Sequence, residues 1–266
     1  MHSTLAVLVD RLASRKVIGT NVVKWGCPVP SFGDPSRCRV ATLGLNPSNR
    51  EFMDEAGNEL QGLSRRFHTL RSLGLRSWSD ADARHLRLIL QSCITYFEAN
   101  PYERWFGKLE QILSGAKVSY YGAAATACHL DLIPYATKAK WTQLTTRQRF
   151  SLLAIAGDTL GRLLRDSQVQ ILILNGSSVV AGFQGMSGSR LDRKQMRTWS
   201  LPRRAGHDVA GFSYKGVVER LSGITLGRKL LVLGFNHNLQ SSFGVTTGVL
   251  DAVGRWISHA TLEAIQ

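Results

Sequence analysis

Acidic residues are scarce in this chain. Nineteen Asp and Glu stand against 33 Lys and Arg, which gives a formal net charge of +14 at pH 7 over 266 residues. A field of that sign draws in polyanions and speeds encounters with them, so nucleic acid is the expected partner, with solubility or an acidic protein as the plainer explanation. Cysteine is also sparse. Cys27, Cys38, Cys93 and Cys128 form no C-x-x-C pair, which gives no support to a zinc ribbon, a disulfide framework or an iron–sulfur site, and no metal or other cofactor is expected. No uninterrupted apolar run approaches the length of a membrane span, and the N-terminus lacks the pattern of a signal peptide. A soluble, cytoplasmic, monomeric protein without membrane association is expected. Neither G-x-x-x-x-G-K-[ST], G-x-G-x-x-G nor G-x-S-x-G occurs, so the sequence offers nothing for a phosphate loop, a dinucleotide fold or a nucleophile elbow.

What is present alternates between helical and strand patterns. Ser3 or Thr4 can cap a first amphipathic helix with Leu5, Val7, Leu8 and Leu12 on its apolar face. A connector from Cys27 to Pro35 leads into a strand at about Arg39 to Leu45, apolar without alternation, as expected when helices cover both faces. Helices are predicted near Leu63 to Leu73, Asp80 to Cys93 and Tyr102 to Leu113, the last carrying Trp105, Phe106 and Leu109 and stopping at Gly115. A second strand spans Ala127 to Ile133 before Pro134, and Thr145 or Thr146 caps a long helix reaching Leu164. A third strand is Val169 to Leu174 and a fourth Leu230 to Phe235, with a closing helix marked by Val249, Val253 and Ile257. This order predicts one α/β domain over 1–266, a three-layer sandwich of helices around a parallel sheet. The stretch from Gln184 to Gly216 breaks the pattern. Gly- and Ser-rich and basic, it reads as an insertion of about 184–216, with Arg190, Arg193, Lys194 and Arg197 among its cations.

Two strand ends hold the residue types chemistry would use. The first core strand runs into Gly44-Leu45-Asn46-Pro47-Ser48: Gly44 permits a sharp turn, Pro47 stiffens the loop, and the Asn46 amide can donate and accept at once, enough to position a water. The fourth strand runs into Asn236-His237-Asn238-Leu239-Gln240-Ser241-Ser242. There the His237 imidazole can donate to a leaving oxyanion. The carboxyl ends of parallel strands are where such sheets bind ligands.

The two loops together resemble the signature motifs of the uracil-DNA glycosylase superfamily. Gly44 to Ser48 is similar to a first motif that reads Gly-x-Asn-Pro-Gly in its mismatch-specific and single-strand-selective branches. The second motif, His-Pro-Ser or Asn-Pro-Ser, is matched less well, since His237 is followed by Asn238-Leu239-Gln240. The resemblance implies a four-stranded parallel sheet of order 2-1-3-4 and base flipping followed by hydrolysis of the N-glycosidic bond. It implies Asn46 as holder of the attacking water and His237 as stabiliser of the departing base. Neither motif holds a lysine, so a Schiff-base lyase step is not expected.

At the end of the second strand, uracil-removing relatives carry an asparagine that reads the base; the matching position here is Asp131. An ionised carboxylate only accepts, which suits the N4 amino group of cytosine better than the C4 carbonyl of uracil. The expected substrate shifts to a modified cytosine, hydroxymethylated or glucosylated as in phage DNA, in an antiviral role similar to that of bacterial members of the superfamily. Phe52 and Phe67 are candidates for stacking the flipped base, with Tyr135 in reserve. Ser48, Ser177, Arg190, Arg193, Lys194, Arg197, Asn238, Leu239, Gln240 and Ser241 are candidate DNA contacts, with Leu239, Gln240 or Phe243 as the candidate wedge residue. A uracil or mismatch glycosylase is the alternative enzyme, and a noncatalytic DNA-binding module on the same scaffold the alternative of another class.

Overall fold

A computed structural model describes residues 1–99, 103–122, 126–203, 206–240 and 244–265. The chain is a mixed α/β fold whose helices flank one six-stranded sheet. Helix α1 (His2–Ala13) buries Leu5, Leu8 and Leu12. Strand β1 (Val40–Gly44) follows the connector, and every residue of it is buried, as is every residue of β2 (Ala127–Asp131) and β3 (Ile171–Asn175). Between β1 and β2 lie α2 (Leu70–Leu73), α3 (Ala83–Ile94) and α4 (Glu103–Ser114). Helices α5 (Thr146–Ala156) and α6 (Thr159–Arg165) lead into β3, and α7 (Ser177–Ser187) leaves it. Strands β4 (Asp192–Leu201), β5 (Val209–Leu221) and β6 (Ile224–Phe235) then precede the closing α8 (Thr247–Ile265).

The strand order is β2-β1-β3-β6-β5-β4. Strands β2, β1, β3 and β6 run parallel, while β5 is antiparallel to both β6 and β4. The expected four-stranded, all-parallel sheet of order 2-1-3-4 is therefore corrected to a mixed sheet of six. The residues read as an insertion supply the difference: 184–216 holds the end of α7, all of β4 and the start of β5. Register shows where this hairpin stands. Lys194 is opposite Ser213, which is opposite Phe235, the last residue of β6, so the chain beyond Lys194 rises past the carboxyl ends of the parallel strands.

Three helix expectations change as well. The predicted helix over 63–73 is instead a 3-10 turn at Gly62–Ser64, where Leu63 is fully exposed, and a separate single α-helical turn at Leu70–Leu73 that Thr69 caps and Gly74 stops in the left-handed conformation. The helix predicted from Asp80 to Cys93 starts later, capped by Asp82, whose side chain accepts from the amides of Arg84 and His85. The long helix after Thr145 is broken at Gly157, whose φ of 53° ends α5 before α6 restarts. Among the described residues no helix is long and apolar enough to cross a membrane.

Candidate active site

Residues 42, 44 and 46 follow one another at the two-residue spacing that keeps strand side chains on one face. Opposite them in β2, Thr42 is level with His129 and Gly44 with Asp131. That pairing builds a buried polar row in an otherwise apolar sheet. The Tyr120 hydroxyl lies 2.5 Å from Thr42 Oγ1, Thr42 Oγ1 lies 2.7 Å from His129 Nδ1, and His129 Nε2 is 3.5 Å from Asp131 Oδ1. Gly44 is required there: a side-chain carbon on it would overlap the Asp131 carboxyl and come within 2.9 Å of His129 Nε2.

Past the end of β1 the chain is pinned to the segment that follows β2. Asn46 Nδ2 donates to the Pro47 carbonyl at 2.9 Å and to Thr137 Oγ1 at 3.1 Å, and the Thr137 hydroxyl donates in turn to Ala139 O. With both amide hydrogens committed, Asn46 offers Oδ1 as an acceptor, which is what an amide needs to orient a water. Ser48 Oγ accepts from Arg50 N and starts a short 3-10 turn that carries Glu51 inward.

These residues converge on one pocket of about 50 Å³, lined by Asn46, Pro47, Ser48, Glu51, His129 and Asp131 with the rings of Phe32, Trp105 and Phe106. Glu51 is a group that the sequence alone did not single out. It is buried, its Oε2 accepts from the Tyr96 hydroxyl at 3.0 Å, and Arg66 Nη1 lies 3.6 Å from the same oxygen. Burial pushes its carboxyl up to about 7, with the nearby Asp131 adding to the rise and Arg66 and Tyr96 opposing it. Tyr96 and Arg66 also line a second, much larger cavity of about 700 Å³, together with Arg50, Asp54, Arg65 and His68. Glu51 and its two partners thus form the wall between the cavities. His68, in that second cavity, is pushed down to about 4 by burial and by Arg65.

His237 does not join Asn46. It is 3% exposed, its Nε2–H donates to the Trp199 carbonyl at 2.7 Å, and it is absent from the pocket lining. Burial holds its pKa below the ordinary value, as does Arg203, while the Trp199 bond opposes them. The imidazole fastens β4 to the loop after β6, and the imidazole in the pocket is His129. Phe52 and Phe67 are likewise corrected. Both are almost fully buried; Phe67 stacks on Tyr96 at 5.3 Å and meets Phe32 edge-on, and Phe52 packs on Trp25 and Phe67. The rings that reach the pocket are Phe32, Trp105 and Phe106, of which Trp105 is half-buried. Tyr135 is also core, its hydroxyl donating to Leu8 O.

The loop after β6 is built inward more than outward. Leu239 is fully buried and its carbonyl accepts from Lys108 Nζ at 2.7 Å, so it is no wedge. Gln240 accepts from Asn175 Nδ2 at 2.7 Å and donates to Trp105 O. Asn238 is half-buried, accepts from Gln240 N and lies against Gly176. Ser241 and Phe243 lie outside the described residues. Ser177 is exposed at the start of α7, on the same sheet edge, its amide donating to Asn236 O. Arg190, Arg193, Lys194 and Arg197 are all exposed along the edge strand or just before it. Four strand spacings, roughly 20 Å, separate that strand from β1.

No protein-family model matches the chain, and no curated protein matches it.

Proposed function

We propose that this protein is a monofunctional DNA glycosylase of the uracil-DNA glycosylase superfamily that flips out a modified cytosine, hydroxymethylated or glucosylated as in phage DNA, and hydrolyses its N-glycosidic bond. The observation that carries this reading is the meeting of Asn46, His129 and Asp131 in one aromatic-walled pocket at the carboxyl ends of β1 and β2. Cleavage of such a bond passes through an oxocarbenium-like sugar, so a weak nucleophile suffices once the base can depart with its electron pair. Asn46 Oδ1 accepts from the attacking water, held in place by the bonds from Nδ2 to Pro47 and Thr137. His129, oriented through Nδ1 by Thr42, takes the part expected of His237 and stabilises charge on the departing base.

Asp131 accepts from the exocyclic amino group, which favours a cytosine-type edge over uracil. The larger cavity beyond Glu51, rich in arginine, serine and threonine side chains, supports a polar substituent on the base. The cationic hairpin, level with the strand ends, supports a DNA backbone running across the sheet edge.

The test is to incubate the protein with oligonucleotides carrying unmodified, hydroxymethylated or glucosylated cytosine, uracil, or mismatched thymine, and to cleave abasic sites with alkali. Strand breaks confined to modified cytosine are expected. Release of uracil alone would overturn the part given to Asp131, and binding without abasic sites in any strand would leave a DNA-binding module.

A further inference from the structure

One buried titratable group in the pocket has no part in the water delivery, anion capture or amino-group recognition described for Asn46, His129 and Asp131. Glu51 and Asp131 line the same small cavity from opposite sources, one on the turn after β1 and the other at the end of β2. Their surroundings differ. Glu51 has both of its described polar contacts, Tyr96 Oη and Arg66 Nη1, on Oε2, and no described hydrogen bond falls on Oε1. Asp131 has His129 beside Oδ1. The charged and titratable groups facing Glu51 are therefore Arg66, Tyr96 and Asp131, with His129 across the same cavity. Two carboxyl groups in one desolvated space resist ionising together, and the Glu51 carboxyl is the one held up, chiefly by burial with Asp131 adding to the rise.

We propose that Glu51 is the specificity-determining residue of the base pocket: its carboxylic acid donates from Oε1 to N3 of a cytosine ring while Asp131 accepts from N4. The inference rests on the glycosylase reading and deepens it. A protonated carboxyl is a donor and a carboxylate an acceptor, so the pair presents donor and acceptor side by side. That order matches the acceptor N3 and donor N4 of cytosine and opposes the donor N3–H and acceptor O4 of uracil. A site whose buried polar groups would be left unpaired by the wrong base rejects it strongly. It follows that discrimination titrates. The carboxyl raised to about 7 donates below that pH and cannot donate above it.

The experiment measures equilibrium binding of two oligonucleotides, one carrying 5-hydroxymethyl-2′-fluorocytidine and the other 2′-fluorouridine, sugars that resist hydrolysis, from pH 5.5 to pH 8.5. For the wild-type protein the preference for the cytosine strand is expected to be constant in acid and to fall by up to about tenfold per pH unit above the titration point. Glu51→Gln keeps a donor at the same place but cannot ionise, so its preference should persist and be flat with pH. Tyr96→Phe removes a hydrogen bond that favours the ionised form, so its midpoint should move to higher pH. A wild-type preference independent of pH, a Glu51→Gln profile that follows the wild type, or an unmoved Tyr96→Phe midpoint would each overturn the assignment. The excision assay fails separately: a titrating preference without abasic sites removes the hydrolase and keeps Glu51, and excision of modified cytosine with a flat preference does the reverse.

Discussion

Gly44 and Asp131 are opposite one another in the β1–β2 ladder, and the carboxyl of Asp131 fills the space a side chain on Gly44 would need. The Asp131 end of the pocket exists because one strand leaves room for the other. Gly44→Ala is expected to displace Asp131 and His129 together and to lower excision about a hundredfold, the scale on which an ångström of misplacement is felt. Single-turnover rates on a cleavable substrate check this. An unchanged rate would show that the pair tolerates the shift.

Asn46→Ala removes the acceptor proposed for the attacking water without touching the cationic surface. Loss of one such preorganised group costs on the order of 10²–10³ in rate, while affinity for DNA, dominated by phosphate contacts, stays nearly constant. Rates and binding measured on the same preparations separate the two. Equal losses in both would move Asn46 out of the catalytic step.

His237→Gln should behave as a stability variant. Its Nε2 bond to Trp199 is buried, and breaking it costs on the order of 1–3 kcal/mol. Excision per folded molecule is expected to stay within a few-fold of the wild type. Because burial depresses the His237 pKa, its neutral form contributes stability above the ordinary 6.5 that is lost as pH falls through the depressed value. Denaturant melts at pH 5 and pH 8 should show that trend in the wild type and lose it in the variant.

Glu51 has the opposite sign. Its folded-state pKa, about 7, is above the ordinary 4.5, so the folded chain binds the proton more tightly than the unfolded one. The contribution is complete below about pH 4.5 and is lost as pH rises through 7, on the order of 3 kcal/mol in all. Glu51→Gln should therefore gain stability relative to the wild type as pH rises from 5 to 8. A constant difference between the two melting curves would place the carboxyl in solvent.

Neutralising Arg193, Lys194 and Arg197 to Gln should weaken DNA binding and reduce the salt slope by about 0.9 for each phosphate that is no longer neutralised. Arg193 should contribute least to that change, since its guanidinium stacks 3.6 Å above Phe212. Fluorescence anisotropy across a salt series reads the slope directly, and an unchanged slope would take the hairpin off the DNA path.

The parallel strands were legible because burial on both faces leaves little choice of residue: Val40 to Gly44 and Ile171 to Leu174 are buried throughout and almost wholly apolar. Strand β4 was not, because an edge strand with both faces exposed over Asp192 to Gln195 loses alternation and looks like a basic loop. For the site, Asn46 and Asp131 stood out as polar residues at the ends of apolar runs. His237 stood out for the same reason, but position after a strand does not say which way a side chain turns. Here Asn236 is tied to Phe212 N and Ala210 O on β5, and His237 follows it toward Trp199. Glu51 was hidden by spacing. Ser48-x-x-Glu51 reads as a helix-capping box on a surface turn, and only the fold reveals that the turn is pressed against Tyr96 and Arg66.

The outermost strand also governs how copies of the chain meet. An unpaired strand rim invites a neighbour to add its own backbone and extend the sheet. On β4, Arg193, Lys194 and Arg197 stand where such a neighbour would dock, and two identical rims brought together would set cation against cation. Like charge on this rim thus opposes the stacking of copies into fibres at high concentration.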